Sequence, residues 1–355
     1  MSTAARADRL AELLAERQLD CLLVTELLDV RYLTGFTGTN GACVVSAEER
    51  LFLTDFRYVE QAGAQVGDFE LLPAGRDLAG DLAQRLRGRA GFDDTQMSVR
   101  THAKLAEGVA EGVELVAAGR LVGRLRQVKD SDELRRIAAA TELATGALER
   151  TLERGLAGRT ERAVALELER TMVDSGAEAP SFPAIVAAGR HAALPHAEPR
   201  DVEIPAGTLV VIDWGARLDG YCSDCTRTVA SGGIDGRAHE LYELVRRAQH
   251  LGLGAVRAGA QGRSVDGVAR EAIEAAGHGD RFGHGLGHGV GLEVHEGPTL
   301  TARSDDVLAV GNVVSVEPGV YLPGELGVRI EDLVAVTDDG ADVLTAFTKE
   351  LVTAG

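Results

Sequence analysis

Long apolar runs are missing from this chain. No stretch approaches the roughly 18 consecutive apolar residues of a membrane-spanning helix. The opening "MSTAARADRLAELLAERQ" mixes Arg, Asp and Glu with Leu and Ala, unlike the unbroken apolar segment of a secretory leader. It reads as an amphipathic helix of a cytoplasmic protein. Cysteine is scarce as well, with four in 355 residues, which excludes a disulfide scaffold and agrees with a reducing compartment. Cys222 and Cys225 form a CxxC, but no second pair follows at zinc-ribbon spacing, and residues three apart on a strand face opposite ways. They are expected to be two small buried or half-buried side chains. Positive charge is also in short supply. Against 55 Asp and Glu there are 37 Lys and Arg, a net charge of −18, which argues against nucleic acid and anionic membranes as partners.

What is present suggests two domains, since 355 residues exceed one typical core. Residues 1–122 read as an α/β domain. Helices are expected near 6–18, 56–64, 77–88 and 101–110, and strands at "CLLVT", "ACVVS", "LFLTD" and "GVELV". Residues 123–128 are expected to be a linker, and 129–355 a second domain. It begins at "KDSDELRRI", where Asp130 or Ser131 can cap a helix carrying Asp132 and Glu133 in its first turn. Further helices at 160–174, 237–257 and 264–276 alternate with strand-like stretches, an α+β pattern of helices outside a curved antiparallel sheet.

Two hairpins carry acids inside apolar runs. In "LVVIDWGARLDGYCSDCTRT" the alternation puts Val211 and Asp213 on one face, and Asp224, Thr226 and Thr228 on one face. With Leu218 and Asp219 at the turn, Asp213 and Asp224 face each other; with Asp219 and Gly220 there, they are diagonal neighbours on the same face. In "NVVSVEPGVYLPGELGVRIEDLVAV" a turn centred on Gly324 sets Glu317 opposite Glu331, with Arg329 on the face of Glu331. Four facing carboxylates need compensation, since one like-charge pair at 4 Å costs about 4 kcal/mol at an effective dielectric of 20. Lysine is absent from both hairpins. Divalent cations fit: acids with one imidazole suit manganese, cobalt or zinc, commonly as two ions.

The imidazole is sought in "FGHGLGHGVGLEVHEGP". His284 and His288 have the spacing of a helical metal pair, but the surrounding glycines make a helix unfavourable and there is no HExxH. Such glycines suit a backbone that approaches a ligand or another strand. His288 is assigned to metal, with His284 and His295 contacting the ligands or the substrate. His196 is a candidate for handling developing charge or the leaving nitrogen. His191 reads as an exposed loop residue, and His102, His239, His250 and His278 receive no role.

These segments resemble the pita-bread metallopeptidases, in particular their proline-specific branch, the Xaa-Pro aminopeptidases and Xaa-Pro dipeptidases. "RYLTGFTGTNGACVV" and "LFLTDFRYVEQA" look like the creatinase-type amino-terminal domain. "ALPHAEP", "VVIDWG", "SDCTRT", "HGLGHGVGLEVHE", "VEPGVY" and "VRIED" look like the catalytic signatures in family order. The resemblance implies five metal ligands, Asp213, Asp224, His288, Glu317 and Glu331, the set reached from register and glycine spacing. It further implies that Glu317 is the general base, that His196 and His295 position the scissile amide, and that His284 and Arg329 support substrate and site. His191 departs from the Asn or Ser that relatives often carry.

The expectation is an Xaa-Pro aminopeptidase acting on peptides with proline second, built as a homodimer. The alternative is an Xaa-Pro dipeptidase, which must also bind the proline carboxylate; the absence of an extra cationic loop favours the aminopeptidase. Methionine aminopeptidase is disfavoured by the amino-terminal domain, and creatine amidinohydrolase and a non-catalytic peptide-binding protein by the intact ligand set. Phe182, Tyr321 and the His295 region are the expected pocket walls.

Overall fold

The computed structural model describes residues 1–355, which form two compact units, Met1–Arg126 and Gln127–Gly355. The first is a mixed six-stranded sheet. Strands Cys21–Val24, Gly41–Ser46 and Arg50–Asp55 run antiparallel in sequence, whereas Glu70–Ala74, Arg89–Phe92 and Glu114–Ala117 join in parallel. Two of its helices escape the sequence pattern. Leu27–Thr34 is only 8 residues long and ends on Gly35 at φ 80°, a left-handed cap that glycine accommodates. The expected linker is largely the helix Leu121–Gln127, in which Leu121, Val122 and Leu125 are buried. Regular spacing of those three apolar residues outweighs the glycine at 123. The expected helix at 77–88 shrinks to Ala79–Ala83.

In the second unit, Asp130 caps the helix Ser131–Leu152 with a full capping box. Its carboxylate accepts from the Asp132 and Glu133 amides at 2.8 and 3.0 Å, and Glu133 accepts from the Asp130 amide at 2.9 Å. The other oxygen of Glu133 accepts from the Tyr221 hydroxyl at 2.8 Å, tying this helix start to the first hairpin.

Each acid-bearing hairpin has its own helix pair and core. Strand Leu209–Trp214 turns Val210, Ile212 and Trp214 towards Leu148, Leu152, Val164 and Leu168 of helices Ser131–Leu152 and Glu161–Asp174. Strand Val313–Val316 turns Val314 and Val316 towards Tyr242, Val245, Val265 and Ile273 of helices Gly236–Ala255 and Gly262–Ala275. The period of two then puts Asp213, Ser315 and Glu317 on the opposite face. The expected single curved sheet is antiparallel throughout but falls into four pieces of 3, 3, 5 and 2 strands. The hairpin strands break at Gly215, Asp224, Glu317 and Glu331.

Candidate active site

The first hairpin turns on Asp219 and Gly220, at φ 48° and 83°, so Leu218 pairs with Tyr221. Thr226, not Asp224, therefore stands opposite Asp213. The face-to-face arrangement gives way to the diagonal one. Gly215 lets the strands cross here, because a Cβ on it would lie 2.0 Å from the Ser223 carbonyl oxygen. The second hairpin keeps one register on both sides of its acids, with Gly319 opposite Arg329 and Val316 opposite Asp332. Glu317 and Glu331 occupy the gap between. Their amides leave the hairpin: Glu317 donates to the Leu286 carbonyl at 2.8 Å, and Glu331 to the Thr226 carbonyl in the first hairpin at 3.0 Å.

That cross-link brings carboxylate oxygens of Asp213, Asp224 and Glu331 within 4.8 Å of one another. His288 adjoins them, its Nε2 3.6 Å from Asp224 and 3.2 Å from Glu317. The segment Gly287–Gly289 is a strand, not a helix, and its glycines meet other backbone. A Cβ on Gly287 would lie 1.9 Å from the Ser315 carbonyl, and one on Gly289 2.0 Å from that of Gly297. Gly287→Ala is therefore expected to lower stability by about 1–3 kcal/mol and to displace Ser315, whose hydroxyl donates to Glu317 at 3.1 Å. Urea denaturation alongside activity tests this; both should fall.

The charges explain why ions belong here. Burial, then repulsion from Glu331, Asp213 and Glu317, pushes Asp224 well above the ordinary carboxylate range. Burial and the charges of Glu317 and Asp213 do the same to Glu331. Asp213 is raised by burial, though Arg329 opposes this through a 2.6 Å bond. Glu317 runs the other way: burial would raise it, but the His288 bond and charge prevail and hold it at about 2. Oδ1 of Asp213 and Oε1 of Glu331 are buried with no hydrogen-bond partner in the protein. Such orphaned anionic oxygens are costly unless something positive meets them. With its Nδ1 directed at the Gly289 carbonyl at 3.1 Å, His288 leaves Nε2 to accept a cation when neutral. The donor set thus fits divalent ions.

Arg329 is fully buried among these groups. It donates to Asp213, to the Thr226 hydroxyl at 3.0 Å, to the Tyr321 hydroxyl at 2.9 Å and to the Pro195 carbonyl at 3.0 Å. Tyr321 in turn meets His284 Nε2 at 3.0 Å, and His284 Nδ1 meets the Gly285 carbonyl at 2.8 Å. His295 packs edge-on against His288, with ring centroids 4.4 Å apart. A cavity of about 540 Å³ opens onto the acids and is lined by Phe182, His196, His284 and His295 among others. Tyr321, expected in the wall, lies behind it.

Three participants were not anticipated. Ser315 and Thr226 each stand two residues from an acid on the same strand face, a signal that alternation offers. Arg227 carries no such signal: buried, it pairs with Asp332 at 2.8 Å and donates to the Glu331 carbonyl from behind the site. His191 also differs from expectation. It is buried, not exposed, with Nδ1 2.9 Å from Glu161. All four cysteines are free and buried, Cys222 and Cys225 included.

Residues 132–338 match metallopeptidase family M24, and residues 6–128 match the creatinase/prolidase N-terminal domain. The chain belongs to metallopeptidase family M24. Its fold is the two-domain pita-bread fold of that family, and it is a metal-dependent hydrolase. An Xaa-Pro dipeptidase structure from Bacillus anthracis superposes with a TM-score of 0.96 at 37% identity, covering 99% of this M24 chain and 100% of the other. The Xaa-Pro dipeptidase of Pyrococcus furiosus is 34% identical over 98% of this chain and 99% of its own. An X-Pro aminopeptidase structure from Thermotoga maritima gives a TM-score of 0.88 at 34% identity, covering 96% and 99%.

Proposed function

We propose that this M24 hydrolase is an Xaa-Pro dipeptidase, cleaving the bond between a first residue and a terminal proline. The reading departs from the aminopeptidase expected from the sequence, where the lack of a cationic loop was the deciding point. Similarity along nearly the whole chain to proteins named Xaa-Pro dipeptidase now supports the alternative. The structural observation that carries the metal-dependent hydrolysis, common to both readings, is the meeting of Asp213, Asp224 and Glu331 within 4.8 Å at a cavity also lined by His288 and Glu317.

In this reading Asp213, Asp224, His288, Glu317 and Glu331 hold two divalent ions, manganese, cobalt or zinc. Bound ions lower the pKa of water and polarise a carbonyl. Glu317, oriented by Ser315, takes the proton of the attacking water at its carboxylate. His295, held neutral mainly by burial and next by His288, offers an N–H to the scissile carbonyl or the leaving nitrogen, as does His196 at the cavity. Arg329 and His284, joined through Tyr321, orient Asp213 and the wall. An Xaa-Pro bond has no N–H, so recognition must rest on shape and on the carbonyl. Phe182, Pro183, Pro195 and Pro199 supply apolar wall for a ring.

A paired assay tests the assignment. An Xaa-Pro dipeptide should give a kcat/KM at least about tenfold above that of the matching Xaa-Pro-Xaa tripeptide, a difference of about 1.4 kcal/mol. The reverse preference would restore the aminopeptidase reading, which the Thermotoga maritima neighbour supports. A cytoplasmic homodimer completes the proposal, since closed two-fold pairs are the commonest oligomers. Sedimentation should then give twice the chain mass.

A further inference from the structure

One carboxylate outside the cavity binds both ends of the loop that forms part of its wall. Glu161 opens the helix Glu161–Asp174 and is buried. It accepts from the Ala188 amide at 2.9 Å and from His191 Nδ1 at 2.9 Å at one end of the loop. At the other it accepts from the Arg200 amide at 3.1 Å and from Arg200 Nε and Nη2, each at 3.0 Å. Between these anchors lie Pro195, His196, Ala197, Glu198 and Pro199, all of which line the cavity. The middle of the loop is also held by packing, since Gly189–Ala193 form a short helical turn and Ala192 and Ala197 are buried against Ala187 and Val211. The Pro195 carbonyl accepts from Arg329 at 3.0 Å, and the Ala192 backbone lies against Gly327, where a Cβ would come within 1.9 Å of its oxygen.

We propose that Glu161 is a positioning residue: by closing residues 188–200 into a loop at a single charged point, it sets where His196 and the proline-bearing wall stand relative to the acids. A buried carboxylate is costly unless it is hydrogen-bonded, and Glu161 meets that need only because five donors from two separated stretches converge on it, so its charge and the closure of the loop stand or fall together. Moreover, beyond the helical turn Gly189–Ala193 the loop has no strand pairing of its own, so the placement of residues 194–199 leans on these anchors and on the Arg329 bond to Pro195. The effect falls on KM through the wall and on kcat through His196, while Glu317 and the remaining acids are held by other elements. This role rests on the proposed use of the cavity for Xaa-Pro substrates.

The test uses Glu161→Gln and, because Arg200 is partly exposed, Arg200→Ala as the milder variant. Hydrogen exchange of the amides at 189–199 is read by mass spectrometry, with steady-state kinetics on an Xaa-Pro dipeptide. Both variants should exchange at least tenfold faster in that segment. KM should rise about tenfold and kcat should fall at least about threefold in Glu161→Gln, with smaller changes in both for Arg200→Ala. Unchanged exchange in Arg200→Ala overturns the proposal even if Glu161→Gln fails to fold. So does a fall in kcat at constant KM, the mark of a merely lost active fraction. Should the parent cleave no Xaa-Pro peptide, the substrate reading falls alone, and the exchange measurement still decides the role of Glu161.

Discussion

Glu317→Gln is expected to lower kcat on an Xaa-Pro dipeptide about 10³-fold, within the 10²–10⁴ range of a general base. The substitution keeps the shape of the side chain, and Ser315 can still bond to its oxygen. What it removes is the negative charge that receives a proton. The loss corresponds to about 4 kcal/mol of transition-state stabilisation. Elemental analysis distinguishes the base role from ligation: a variant that keeps its metal yet loses activity has lost the base. Activity above a tenth of the parent's, with metal intact, would remove Glu317 from that role.

Stripping the ions should have the other large effect. Chelation followed by dialysis is expected to lower activity at least 10³-fold, with recovery on adding manganese, cobalt or zinc. Stability should fall too, by about 4 kcal/mol if free metal had stood at 1,000 times its dissociation constant. The pH dependence of the stripped protein has a definite sign. Burial and like charge raise Asp224 and Glu331 far above their unfolded values, so their contribution is complete in acid and is lost as pH climbs through the raised values. His288 is raised also: burial opposes this, but the Glu317 bond and charge prevail, so its contribution too is lost on going up in pH. Glu317, held at about 2, adds stability that is already complete above its unfolded value near 4.5. Between pH 5 and 8 the stripped protein should therefore lose melting temperature, and the reconstituted protein should lose much less. Melting curves that coincide across this range would show that the acids hold no ions.

The hairpin geometry was legible in the sequence because it depends on two local signals, alternation and turn residues. For the second hairpin they sufficed: Gly324 marked the turn and the register follows from it. For the first they left two choices, and the positive φ of Asp219, which a sequence does not display, selects the diagonal one. The glycines around His288 spoke against a helix but not for a partner; the partner is the Ser315 backbone, which comes from a separate strand. Contacts made across about a hundred residues, such as Arg227 with Asp332 and Thr226 with Glu331, leave no periodic trace. His191 was misread for the same reason. Its surroundings read as loop, and only the fold supplies the carboxylate that buries it.

The amide of Glu331 bonds to the strand of Asp213's partner, not to its own hairpin. Each half of the M24 unit therefore lends the other a piece of its backbone at the reacting centre. A disturbance on either side, even one confined to the helices behind the first hairpin, has a direct mechanical route to the opposite carboxylates. Activity in this molecule will consequently report on the joint between the halves as sensitively as on the chemistry within it.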